Sequence, residues 1–256
     1  MLNTLVFGTA TARPPLLIAH GLFGSARNWG VIAKRLSEGR QVTAVDMRNH
    51  GASPWFDSQN YADMAADLAQ VLTADLTGDL TGPSDILGHS MGGKAAMVLA
   101  LTRPDLVRRL VVADIAPVAY AHTQLDKIDA MRRVDLARVT TRGQAAEMMG
   151  LDDPALSAFF LQSLDLAGKR WRLNLDALAA NMPAIIGFPP VSAVFDGPVL
   201  FLTGAQSDYV LPEHRERIRA LFPHARFAKI PDCGHWLHAE KPREFVAAVQ
   251  VFLEQG

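Results

Sequence analysis

Apolar residues in this chain fall into short runs that alternate with stretches of helical period. "PLLIAHG" is a continuous apolar run stopped at Gly21, and "NWGVIAKRLSEG" after it reads as a helix closed by Gly39. "QVTAVDMRNHG" reads as a strand entering a polar loop, and "YADMAADLAQVLTADL" as an amphipathic helix. "SDILGHS" is a strand running into "MGGKAAMVLALTRP", a helix that closes before Pro104. "LVRRLVVADIAP" is the next strand. "GPVLFLTG" and "ARFAKIPDCGH" are strands separated by the helix "PEHRERIRALF", and "PREFVAAVQVFLEQ" is a closing helix. Continuous apolar strands alternating with helices predict an α/β fold. Its central sheet is mostly parallel and has helices on both faces.

The alternation stops between about Val118 and Asp196. "LDKIDAMRRVDLARV", "TRGQAAEMM", "PALSAFFLQSL" and "LNLDALAANM" are helical in period, and no strand is expected among them. We read residues 118–196 as a helical lid inserted into a core made of residues 1–117 and 197–256. Pro117, Pro189 and Pro190 bracket it.

Composition narrows the classes. The chain has 256 residues, is 49% hydrophobic and 20% charged, and carries a formal net charge of -1. That balance offers no electrostatic footprint for nucleic acid or an anionic membrane. No apolar run approaches the ~20 residues that span a bilayer, and the N-terminus lacks a leader pattern. A lone cysteine, Cys233, forms no disulfide framework and no zinc-type cluster. The expectation is a cytoplasmic protein, a monomer or small homo-oligomer, using neither cofactor nor metal.

The chemistry is concentrated at strand ends, where open α/β sheets place their sites. Gly88-His89-Ser90-Met91-Gly92 matches G-x-S-x-G between a predicted strand and a predicted helix. A strand-to-helix turn this tight needs glycine on either side of the serine, and it aims the hydroxyl at unpaired helix N–H groups. Ser90 is therefore the candidate nucleophile. Met91, next in sequence, offers one backbone N–H for an oxyanion hole. "HGLFGS" (His20–Ser25) follows the first core strand, where a second donor is required. Leu22 is the first choice and Phe23 the alternative. His20 is read as a supporting residue that holds this loop. "DMRNHGAS" follows the next strand, and there Asp46 and Arg48 are expected to pin loops.

Of eight histidines, His235 lies just after the last predicted strand and before the last helix. A neutral imidazole there can take and return the serine proton. His238 is expected to pack locally, His89 to leave the turn in another direction, and the remaining histidines to lie on the surface. Counting along "GAQSDYVLP", a G-x-x-D acid position falls on Ser207 when measured from Gly204, with Asp208 one residue late. Measured back from Pro212, Asp208 fits.

The ordered set HGLFGS, DMRNHGAS, GHSMGGK and GHWLHAEKP resembles the α/β-hydrolases, in particular the YbfF-type bacterial esterases. That resemblance implies an aspartate after the strand before the lid, here Asp114, as the acid, with a serine matching Ser207 beside it. Asp114 is favoured and Asp208 stays open as the alternative. The resemblance also implies a serine esterase acting on short- to medium-chain esters, with acyl-CoA a further candidate. Met131, Phe159, Phe160, Leu161, Trp171 and Met182 in the lid could line an acyl pocket, with Phe23, Phe159 and Trp171 the chosen contacts. Arg132, Arg133 and Arg172 are the local cations that could meet an anionic substrate. The alternatives are other chemistry on this fold (perhydrolysis, C–C hydrolysis, an elimination) and, less favoured, a non-catalytic receptor.

Overall fold

The computed structural model describes residues 1–74 and 82–255. In chain order it runs β1 (Thr4–Phe7), β2 (Leu16–Ala19), α1 (Gly30–Leu36), β3 (Val42–Val45), α2 (Tyr61–Ala74), β4 (Ser84–His89), α3 (Met91–Thr102) and β5 (Val107–Ala113). The insert follows: α4 (Leu125–Arg132), α5 (Arg142–Met149), α6 (Pro154–Leu161), β6 (Leu164–Asp165), β7 (Arg170–Trp171), α7 (Leu175–Ala180) and α8 (Met182–Ile186). The core resumes with β8 (Val199–Gly204), α9 (His214–Leu221), β9 (Ala225–Ile230), α10 (Leu237–Glu240) and α11 (Pro242–Glu254).

Seven strands form one sheet in the order β1-β3-β2-β4-β5-β8-β9. Strands β2, β3, β4 and β8 are buried at every position, as apolar strands covered on both faces should be. All pairings are parallel except β1 with β3, where Thr4 faces Val45. That antiparallel edge strand is partly exposed along its length and lacks the fully buried apolar run that marks β2 and β3.

One core lies between the sheet, α2, α3 and the insert, and a second lies beneath α1, α10 and α11. Every residue of α3 from Met91 to Leu101 is buried, which explains why that helix shows no polar stripe. The insert is not purely helical. Leu164 pairs with Trp171 and Asp165 with Arg170 in a two-residue antiparallel ladder. A turn in which the Asp165 carboxylate accepts the Gly168 N–H makes that ladder possible, and its brevity left no periodic signal. The last two residues expected in the α2 helix, 75 and 76, lie outside the described residues. No helix among the described residues is long and apolar enough to cross a membrane.

A buried ion cluster ties the far end of the sheet together. Asp85 of β4, fully buried, accepts from Arg40 Nη1 at 2.7 Å and Arg108 Nη2 at 2.6 Å. Removing the carboxylate would leave Arg40 as an uncompensated buried cation. Asp85→Ala is therefore expected to lower the unfolding free energy by about 3–5 kcal/mol, measured by urea denaturation.

Candidate active site

Ser90 sits between β4 and α3 with φ 52° and ψ -120°, a conformation that costs a non-glycine residue of order 1–3 kcal/mol. The turn holds it there. Its N–H donates to Ala113 O at 3.1 Å, and its carbonyl accepts Lys94 N–H at 3.0 Å. A Cβ at Gly88 would overlap the Gly92 carbonyl, and one at Gly92 would overlap the carbonyls of Ala19 and His20. The two glycines thus let the turn close against both itself and β2.

The loops after β5, β8 and β9 meet beside this turn. His235 Nδ1 lies 2.7 Å from Asp114 Oδ2. Asp114 is fully buried, has φ 51°, and accepts three donors: His235 Nδ1–H, Ser207 Oγ–H on the same oxygen, and Gly204 N–H on Oδ1 at 3.2 Å. An ionised carboxylate only accepts, so Nδ1 of His235 carries the proton and Nε2 is the basic nitrogen. The Tyr209 ring stacks on the His235 ring at 4.0 Å. Asp208 is exposed and makes no bond to His235. Ser90 Oγ makes no protein hydrogen bond among the described residues, and it shares a cavity with His235.

The strand-end loops are held by buried polar groups. His20 donates Nδ1–H to Gly21 O at 2.7 Å and accepts Met47 N–H on Nε2 at 2.9 Å, so both nitrogens serve backbone. Asp46 receives Asn3 Nδ2, Ala26 N–H and Ala52 N–H, joining the loops after β2 and β3 to the N-terminus. Arg48 is buried in the loop after β3. It binds Asp63 and Asp67, anchoring its loop to α2.

His50 was expected on the surface, and the structure buries it completely. It donates Nδ1–H to Arg48 O and accepts Phe23 N–H on Nε2 at 3.2 Å. That bond occupies the Phe23 amide. Among the described residues, the Leu22 and Met91 amides have no such partner.

The cavity over Ser90 measures about 260 Å³. Phe23, Phe159, Phe160 and Leu156 line it on one side, and Tyr61, Tyr120, Ile185 and Ile186 on another. Trp171, a chosen contact, is not there. It is buried inside the insert, where its Nε1–H donates to Met131 O at 3.1 Å. Met131, Leu161 and Met182 are likewise spent on insert packing. The three arginines are engaged elsewhere: Arg132 with Asp176, Arg133 with Met149 O, and Arg172 with Asp165.

Lys94 was not anticipated as part of this wall. It is 1% exposed, and burial pushes its ammonium down to about 7. The signal was present, since "MGGKAAMVLAL" carries one charge in a helix otherwise small or apolar.

Histidines fill the space behind the serine. His89 donates Nε2–H to the His235 carbonyl at 2.9 Å, linking the serine turn to the His235 loop. His238 stacks on Trp29 at 4.3 Å, and its ring lies 4.6 Å from that of His89. Burial pushes His20 and His89 below the usual histidine range, and it pushes His50 and His238 to about 3.

The pattern that defines the alpha/beta hydrolase fold family matches residues 14–242. The sn-1-specific diacylglycerol lipase ABHD11 of Mus musculus is 41% identical over 262 aligned positions, covering 97% of this chain and 83% of that protein. Esterase YbfF of Escherichia coli K12 is 40% identical over 242 positions, covering 93% and 92%. A solved structure described as a marine microorganism esterase superposes with a TM-score of 0.91 at 35% identity, covering 98% of each chain. This chain belongs to the α/β-hydrolase fold family, and these relatives are ester hydrolases by name.

The buried neutral histidines set an acid limit. Each has a folded pKa below its unfolded value, so below about pH 6.5 the unfolded chain binds protons that the folded one refuses. Stability is complete above that value and falls as pH drops, by about 1.4 kcal/mol per pH unit each for His50 and His238, whose folded values lie at about 3. His238 leaves a buried Nδ1 unpartnered, so a phenyl ring can replace it. His238→Phe is expected to make the fall between pH 6 and pH 4 shallower by one such step, read from urea midpoints across pH.

Proposed function

We propose that the protein is a serine esterase working through an acyl-serine intermediate. The observation that carries this reading is the line from Asp114 to His235, ending at a cavity that also holds Ser90 on its strained turn.

His235 Nε2 takes the Ser90 hydroxyl proton as Oγ attacks the ester carbonyl. The buried Asp114 carboxylate, steadied by Ser207 and the Gly204 N–H, fixes the tautomer and stabilises the imidazolium. The uncommitted Leu22 and Met91 amides receive the developing oxyanion, with Phe23 less suited because His50 holds its N–H. The proton passes from His235 to the leaving alcohol, and the acyl group remains on Ser90. Water, activated by the same histidine, then releases the acid.

The insert, residues 118–196, acts as a lid. Phe159, Phe160 and Leu156 from α6 face the serine across an apolar cavity. Its volume of about 260 Å³ suits short- to medium-chain acyl groups. Thioesters such as acyl-CoA share the same acyl chemistry. Phe23 and Phe159 are the proposed acyl contacts.

A fluorophosphonate probe is expected to label the wild-type protein and not Ser90→Ala. With p-nitrophenyl butyrate, Asp114→Asn is expected to lower kcat by about 10⁴-fold, and Asp208→Asn to leave it within about threefold. Collapse of the rate in Asp208→Asn alone would overturn the acid assignment.

A further inference from the structure

We propose that Lys94 is a positioning residue that clamps both ends of the helical insert and thereby sets acyl-length selectivity. The proposal rests on the esterase reading above. Lys94 lies four residues after Ser90 on α3, one helical turn or about 6 Å along the axis. Its Nζ donates to Val118 O at 2.8 Å, Ile186 O at 2.9 Å and Gly187 O at 2.6 Å. Val118 stands where the chain enters the insert, Ile186 ends its last helix and Gly187 follows it. An ammonium has three donors, and all three are used, so the group binds the two linkers and keeps none for a substrate.

Neighbouring bonds reinforce the clamp. The Tyr120 N–H donates to Ile186 O at 3.1 Å, and the Tyr61 hydroxyl donates to Ile185 O at 2.5 Å. The Tyr120 ring lies under the ammonium at 4.6 Å. Among the described residues no carboxylate pairs with Lys94, and burial opposes its charge. A methionine would fill the same apolar space without that desolvation cost. What methionine cannot do is satisfy three carbonyls from two separate linkers.

Of the clamped residues Ile186 is cavity wall, and so are the residues bonded beside it. Tyr61, Tyr120, Ile185 and Ile186 all line the space over Ser90. An acyl group extending from Ser90 toward Lys94 ends against them. Without the clamp the linkers can part, and the pocket loses its fixed end.

The test compares kcat and KM of wild type and Lys94→Met on p-nitrophenyl acetate, butyrate, octanoate and dodecanoate. The ratio of kcat/KM for butyrate over dodecanoate is expected to fall at least about fivefold, mainly through KM. A smaller fraction of active protein scales every substrate equally and leaves that ratio alone. A ratio unchanged from wild type would overturn the clamp. Should Lys94→Met fail to fold, Tyr61→Phe removes only the Ile185 bond and is expected to shift the ratio about threefold the same way; an unchanged ratio there also overturns it. Failure of the fluorophosphonate probe to label wild type would instead strike the esterase reading itself.

Discussion

A fully buried carboxylate must be met by donors, and the site is arranged around that demand. Asp114 stands just past β5 with a positive φ, and its donors come from two other strand ends. Gly204 and Ser207 reach it from β8, and His235 from beyond β9. The sheet order brings those three ends side by side. Tyr209, two residues after Ser207, closes over the His235 ring and joins the two loops by stacking. The orientation of His235 therefore depends on strand register, and the strand register depends on apolar strands buried on both faces.

The serine turn meets a different demand, set by sterics. Glycine at positions 88 and 92 allows backbone to approach backbone more closely than any Cβ would permit. The strain at Ser90 is held by the Ala113 carbonyl and by the first turn of α3. Behind it, the His89 bond to the His235 carbonyl connects the turn to the base loop. The neutral imidazoles of His20, His50 and His89 pair with backbone without a charge that burial would oppose. The same choice makes the protein's interior sensitive to acid.

Above the serine, the insert contributes mostly its own packing. Trp171, Met131, Leu161 and Met182 hold its helices together, while the cavity is reached by Tyr120, His122, Gln124 and Lys127 on the entry side, by one stretch of α6 and by the end of α8. Lys94 reaches from the core helix to carbonyls at both ends of the insert, so that wall is coupled to the helix that begins at the serine.

Much of the fold was legible because its signals are local. Strand runs, helical periods and the glycines around Ser90 act within a few residues, where propensity and turn sterics decide. The edge strand β1 escaped notice because none of its residues is fully buried, and the β6–β7 ladder because two residues carry no period. The chain order of Ser90 and His235 was equally readable from their places after strands. The sequence alone left Asp114 and Asp208 both open, since a one-residue count near a loop does not say which side chain turns inward. Tertiary structure decided that Asp114 faces His235, 121 residues away, while Asp208 faces solvent. It also buried His50 beneath Phe23, turned Trp171 into the insert and drew Lys94 into the cavity wall. The physical reason is the same in each case. A side chain's partners are set by which strand ends and helices the sheet makes neighbours, and that adjacency exists only once the chain has folded.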